Sequence, residues 1–292
     1  MAMRENMTRR AFLRSAAVGG AMASLASAKV PAQEAEEEPA FRFGMSTCMY
    51  HNSPLEVAIE EIAKTGCEAV DVWEERAATR VNHMAWVEQN GPDKLRELVE
   101  DAGLKLWAFS IYRTAGDKRL ERLEWLKEAG GEVAVLGGGA RRGQPVQAGI
   151  DALAPLVERA EELGLKIAGE NHGGTSLNTI ASMREFVSLA KSPALGMALA
   201  PYHVMGAGEP VPEAVQAVGE KLFFFYAWQR APGMRELPGD NTLDFLPVLR
   251  ALRQVNYPGY VNIFTHASAP KEEMTQAVIA SREYLEGLAR RL

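Results

Sequence analysis

The feature that most constrains this chain is an eightfold alternation of short apolar, β-rich runs with amphipathic patterns of helical period. Strand candidates lie at residues 41–47, 69–73, 104–111, 132–136, 165–169, 196–200, 222–228 and 260–265. Helical patterns lie at 55–63, 95–103, 120–129, 152–163, 182–190, 211–218, 243–254 and 272–288. Gly66, Gly103, Gly130 and Gly164 fall where helices should stop. Strict strand–helix alternation argues for an α/β fold with a parallel sheet. Eight units in about 250 residues is the usual content of one closed barrel. The expectation is a single (β/α)8 TIM barrel over residues 41–292, with an eight-stranded parallel core and outer helices. No GxGxxG follows the first strand, which argues against dinucleotide binding. Gly137-Gly138-Gly139 follows the fourth strand without the Lys-Ser/Thr of a phosphate loop, and reads as a tight turn.

Residues 1–28 read as an export signal. Thr8-Arg9-Arg10-Ala11-Phe12-Leu13 is a twin-arginine pattern, an Ala/Gly/Ser-rich apolar stretch follows, and Ala26-Ser27-Ala28 is a small-x-small cleavage site. The stretch is too short and too polar for a stable membrane span. The expected destination is the periplasm or the cell exterior of a bacterium. Residues 29–40 form an acidic, Pro-flanked segment with no apolar period, expected to be a disordered linker. The net charge is −6 with no basic stripe, a poor match to nucleic acid. Two cysteines, Cys48 and Cys67, are too few for a disulfide scaffold and are expected to be buried and unbonded.

Polar chemistry collects at the predicted strand ends. Glu170-Asn171-His172 arrives where strand 5 stops, and in a β/α barrel that edge carries the chemistry. All five histidines fall at or beyond such ends: His51 after strand 1, His83 after strand 2, His172 after strand 5, His203 after strand 6 and His266 after strand 8. A lone histidine there is usually a hydrogen-bonded loop residue; five together point to a pocket. Asp71-Val72-Trp73-Glu74 ends strand 2, Ser110-Ile111-Tyr112 ends strand 3, and Tyr226-Ala227-Trp228-Gln229-Arg230 ends strand 7. Asp71 alternates with Val70 and Val72; a direct role and a tie to neighbouring groups inside the barrel are both open. Flat aromatic faces with acids, amides and imidazoles suit a small carbohydrate. The substrate-binding candidates are His51, Trp73, Glu74, Tyr112, Asn171, Tyr226, Gln229, Arg230 and His266. The catalytic candidates are Glu170, His172 and His203.

The segments 66–73, 103–109, 165–174, 238–249 and 257–261, in their order and spacing, resemble the xylose isomerase-like TIM-barrel superfamily over residues 41–290. That superfamily includes sugar-phosphate isomerases and epimerases, ketose 3-epimerases and endonuclease IV-type repair enzymes. The resemblance implies a divalent metal held at the ends of strands 5 to 8 by Glu, Asp, His and Glu, with the two glutamates exchanging a proton beside a carbonyl. Position by position, Glu170 matches the first glutamate. The strand 6 Asp-x-x-His becomes Ala200-Pro201-Tyr202-His203. The strand 7 His falls on Tyr226, or near Gln229, and the strand 8 Glu falls on Phe264, with Thr265 and His266 beside it. A rearranged site from Glu170, His203 and His266, with His172 nearby, would suit zinc or manganese; otherwise no cofactor is expected. The resemblance implies an exported enzyme acting on a free sugar or keto-glycoside by proton abstraction next to a carbonyl, as an isomerase, an epimerase or a lyase. Glu170 would be the base, with His203 or His172 the acid or carbonyl polariser. The alternative is a non-catalytic carbohydrate-binding barrel descended from such enzymes.

Overall fold

A computed structural model describes residues 41–74 and 82–292. The export signal and acidic linker expected over residues 1–40 lie outside the described residues. Eight strands close into one parallel barrel in chain order. They are β1 (Arg42–Ser46), β2 (Ala69–Trp73), β3 (Lys105–Ser110), β4 (Val133–Gly137), β5 (Lys166–Glu170), β6 (Leu195–Leu199), β7 (Leu222–Ala227) and β8 (Tyr260–Ile263). The helices are α1 (Leu55–Lys64), α2 (His83–Asn90), α3 (Pro92–Asp101), α4 (Lys118–Glu128), α5 (Val146–Leu163), α6 (Ile180–Leu189), α7 (Pro201–Gly206), α8 (Val211–Val218), α9 (Phe245–Gln254) and α10 (Lys271–Ala289). Strands covered on both faces read as nearly unbroken apolar runs, and β2 and β6 are buried at every residue. β1 closes the ring against β8, with Arg42 opposite Tyr260 and Met45 opposite Ile263.

The helix ends have local causes. Asp244 caps α9 by accepting the Leu246 N–H at 3.0 Å, and Thr179 and Ser182 form a capping box on α6. The four glycines expected to stop helices all have positive φ. Two helices escaped the sequence reading. α2 has its N-cap at Asn82, which accepts from Ala85 N–H, but it is only eight residues long and buries only His83, Met84 and Val87. α7 is six residues starting at Pro201, too short to show a period. Both cysteines are buried and no disulfide joins them.

The Gly137-Gly138-Gly139 run is not the tight turn its composition predicts. None of the three has a positive φ; the run lets backbones touch. A Cβ on Gly138 would stand 2.5 Å from the Gly169 carbonyl carbon, and one on Gly149 of α5 would stand 2.8 Å from the Gly138 carbonyl oxygen. β4, β5 and the start of α5 therefore meet without side chains between them, just below the Glu170 strand end.

Aromatic rings fill the barrel along its length. Trp107 stacks on Phe224 with centroids 4.4 Å apart, Phe224 meets Tyr226 at 4.6 Å, and Tyr226 meets Phe264 at 4.9 Å. Phe224 and Tyr226 are two apart on β7 and so share its inner face.

Gly138→Ala should lower unfolding stability by about 2 kcal/mol or more, because backbone rather than a flexible side chain must move. Urea denaturation followed by circular dichroism measures this; an unchanged midpoint would show that β4 and β5 can separate freely.

Candidate active site

Glu170 is the last residue of β5, paired in register with Gly137 of β4 and Ala198 of β6. It is 7 % exposed. Burial pushes its carboxyl up to about 8; a hydrogen bond from Tyr112 opposes this, and the negative Asp71 adds to it. Asp71, on β2, is fully buried. Its oxygens accept the Ser46 hydroxyl at 2.6 Å, the Ser110 hydroxyl at 2.9 Å and the Trp73 indole N–H at 2.5 Å. Burial outweighs these donors and pushes Asp71 up to about 7.

The two carboxyls are joined by hydroxyls. Ser110 lies 3.4 Å from the Tyr226 hydroxyl and Tyr226 lies 3.1 Å from the Tyr112 hydroxyl, and Tyr112 faces Glu170. Hydroxyls thus run from Asp71 through Ser110 and Tyr226 to Tyr112 at the Glu170 side. Burial holds both phenols well above their ordinary range, so they stay protonated and donate. Asn262 extends the chain beyond Asp71 by donating to Ser46 at 2.9 Å.

The histidines divide into two groups. His172, His203 and His266 gather at the mouth. His172 and His203 have ring centroids 4.2 Å apart, His203 meets Trp228 edge-on at 5.4 Å, and Trp228 meets His266 edge-on at 4.9 Å. Burial pushes His203 down to about 3, with His172, His266 and Arg230 adding positive repulsion. His172 is lowered by burial too, and its Nδ1 faces the Gly174 N–H at 3.3 Å. His203 is thereby held neutral near pH 7 and can donate an N–H to a carbonyl, whereas the His172 ring is exposed.

His51 and His83 do not join this group. His51 spans the Cys48 carbonyl at 3.1 Å and the Ser268 hydroxyl at 3.0 Å, and His83 meets the Ser53 carbonyl at 2.9 Å. They tie loops together, so the five-histidine pocket becomes a three-histidine one.

Three other expected substrate contacts are likewise committed to the frame. Glu74 accepts the Arg113 and Thr114 N–H groups at 2.7 and 3.0 Å. Asn171 clasps the Ala200 backbone, accepting its N–H at 2.7 Å and donating to its carbonyl at 3.3 Å. Gln229 is fully buried; it donates to the Arg235 and Leu237 carbonyls and accepts the Leu243 N–H at 2.9 Å. Trp73, Tyr112, Tyr226, Arg230 and His266 stay around the mouth. Trp73 lies 5.0 Å from Tyr112 and 5.2 Å from Phe264.

Some contributors carried no signal of their own in the sequence. Glu236, in a 3-10 turn, accepts from Trp228 Nε1, Thr265 Oγ1 and the His266 N–H, pinning the loops after β7 and β8. Tyr202 stacks on Trp228 at 4.2 Å. Its place one residue after Pro201, at a strand end, was the only hint available.

The chain belongs to the xylose isomerase-like TIM barrel family, whose model matches residues 59–286. Among characterised relatives, an inosose dehydratase of Clostridium botulinum is 24 % identical over 155 residues, covering 46 % of this chain and 52 % of the relative. The chain thus matches about half the length of that relative. The solved structure of 3-keto-D-glucoside 4-epimerase from E. coli superposes with a TM-score of 0.67 at 18 % identity, covering 83 % of this chain and 99 % of that one. The IolI protein with a bound zinc atom superposes with a TM-score of 0.67 at 17 % identity, covering 86 % of this chain and 99 % of that one. Likenesses at such identities speak for the fold alone.

The residues at the four strand ends do not fit a family-type metal centre. Glu170 offers a carboxylate, but Ala200 offers a methyl group, Phe264 a buried phenyl ring and Tyr226 a phenol held protonated. The rearranged set of Glu170, His203 and His266 is not brought together either: among the described residues no group of three or more His, Cys, Asp or Glu is placed to hold a metal ion. The rings of Phe264 and Trp228 pack against His266 at 4.9 Å each.

Two predictions follow from this geometry. Protein equilibrated with zinc or manganese and then desalted should retain less than about 0.1 equivalent by elemental analysis; a near-stoichiometric content would show that a ligand set assembles after all. The second concerns pH. A carboxyl more basic in the folded chain than in the unfolded one stabilises the fold fully below its unfolded value, and that contribution is lost as pH rises through the folded value. For Glu170 the window runs from 4.5 to about 8. Between about pH 5 and pH 8, wild type should therefore lose stability relative to Glu170→Gln by on the order of 3 kcal/mol. Denaturant midpoints at both pH values test this, and a difference independent of pH would refute the raised carboxyl.

Proposed function

We propose that the protein is an enzyme that moves a proton at the carbon next to a carbonyl of a carbohydrate, in an isomerisation, an epimerisation or an elimination. The observation that carries this reading is Glu170. It is a buried carboxyl at the C-terminal end of a barrel strand, with its proton affinity raised to about 8. A base near neutral pKa is the kind that C–H removal requires. The carboxylate takes the proton, the C–H electrons move towards the carbonyl, and negative charge collects on its oxygen. A neutral imidazole N–H from His203 or His172 stabilises that oxygen without first having to lose a proton. Protonation of that carbon on its opposite face completes an epimerisation, and protonation at the former carbonyl carbon completes an isomerisation. Transfer of the proton to a neighbouring hydroxyl, which leaves as water, completes an elimination.

The hydroxyl chain supports the role. Tyr112 faces Glu170, and Tyr226 and Ser110 run from Tyr112 to Asp71, a second carboxyl whose burial pushes it up to about 7. The ring wall of Trp73, Trp228 and Tyr202 offers flat faces to a sugar. A dehydratase of an inosose and an epimerase of a 3-keto-glucoside among the similar proteins support a keto-carbohydrate as substrate class. The twin-arginine pattern at residues 8–13 supports action outside the cytoplasm on an unphosphorylated substrate.

A second reading, a carbohydrate-binding barrel without turnover, is favoured by the rings that stand at the metal positions. Deuterium exchange separates the two. Incubated in D2O with a 3-keto-glucoside or an inosose, the protein should catalyse exchange of the C–H beside the carbonyl. Glu170→Gln should slow that exchange by about a thousandfold while leaving sugar binding within a few-fold. Absence of any protein-dependent exchange across such substrates would favour the binder.

A further inference from the structure

The mouth carries a second cleft, beside His203, that the proton chemistry does not use. It encloses about 300 Å³ and is lined by Arg142, Gly173, Asn178, Thr179, His203, Gly206, Ala207 and Arg230. Two guanidiniums and no carboxylate line it. Among the described residues neither Arg142 nor Arg230 forms an ion pair. In a chain of net charge −6, two arginines lining one small cleft without an acidic residue among its walls stand out.

Both arginines are exposed, but each is anchored to the frame. The Arg142 backbone N–H donates to the Gly174 carbonyl at 3.2 Å, holding the loop after β4 against the loop after β5. The Arg230 guanidinium lies 5.0 Å from the Tyr202 ring centroid, a cation–π contact. It also packs over the end of α7, where a Cβ on Gly206 would come within 2.8 Å of Nη1. The bare Gly206 therefore makes room for that guanidinium. Asn178 and Thr179 add neutral polar groups, and His203 belongs both to this cleft and to the pair it forms with His172.

We propose that this cleft is an oxyanion subsite, in which Arg142 and Arg230 take the carboxylate of an acidic sugar whose carbonyl-bearing end reaches Glu170 past His203. The proposal rests on the keto-carbohydrate reading of the site and narrows it to sugars with an anionic substituent. Guanidinium forks match the two oxygens of a carboxylate in plane, and phosphate esters offer the same oxygen chemistry. An arriving anion would be attracted by both guanidiniums at an exposed cleft, so binding should weaken as salt is raised.

Isothermal titration calorimetry on the full chain with sodium D-glucuronate, D-glucose and D-glucose 6-phosphate tests this. Glucuronate should bind at least about tenfold more tightly than glucose, and the double variant Arg142→Ala/Arg230→Ala should erase that preference. A stronger preference for the phosphate ester, also lost in the double variant, would keep the subsite and assign it to phosphate. Equal affinities for all three ligands, or a preference that survives in the double variant, would overturn it. Should the alanine pair lower the melting temperature, the Arg142→Gln/Arg230→Gln pair carries the same comparison in a fold with the side-chain stems retained. Glu170→Gln separates this proposal from the reaction reading. Anion preference without proton exchange in wild type would sink the reaction and spare the subsite; exchange without anion preference would do the reverse.

Discussion

The site depends on the withdrawal of two carboxyl groups from water. Asp71 is fully buried and Glu170 nearly so, and a bare carboxylate in such a medium is costly enough that it takes up a proton instead. The family's epimerase-type pattern would set a divalent cation against this charge. Here Ala200, Tyr226 and Phe264 stand where three of its ligands are expected, and the compensation comes from hydroxyl hydrogens and from protons. Tyr226 matters most among them. It bridges Ser110 on the Asp71 side to Tyr112 on the Glu170 side, and so supplies the link between the two acids.

The same dryness sets the character of the imidazoles. The aromatic column that ends in Phe264, Trp73 and Trp228 leaves His203 little water, and nearby Arg230 adds repulsion, so His203 stays neutral. A neutral ring can stabilise a developing oxyanion through its N–H and carry no net charge before the reaction begins. Around it, the polar side chains that could compete for substrate are already engaged. Asn171 holds the start of α7, and with it His203, against the end of β5. Glu236 fixes Trp228 and His266. The frame thus leaves few adjustable groups at the mouth.

The barrel was legible because each of its signals is local: a strand's apolar run, a helix's period, a glycine at a helix stop. The position of Glu170 was legible for the same reason, since a strand end is a local fact. The division of polar residues between chemistry and frame was not. Glu74 reads as a candidate contact until the Arg113 and Thr114 amides, 39 and 40 residues further on, are seen to take its oxygens. Asn171 reads likewise until Ala200, 29 residues on, closes on its amide. His51 finds its hydroxyl partner 217 residues away. Sequence shows what a side chain can bond, but the partner is decided by closure of the ring. The glycine run after β4 failed in the same way: its composition spoke of a turn, while the demand for glycine comes from Gly169 and Gly149 packing against it.

Charge is distributed unevenly across the mouth. The acids sit within the barrel on β2 and β5, while Arg142 and Arg230 line the cleft that also holds His203. An anionic group brought next to Glu170 would raise that carboxyl further and suppress its ionised form, the form that must take the proton. An anion held at the rim is kept away from Glu170, and its charge is met by the arginines. The neutral, carbonyl-bearing part of the same molecule then faces the base. On the proposed reading, this polarity would favour an acidic sugar bound with its anion at the rim and its carbonyl towards Glu170.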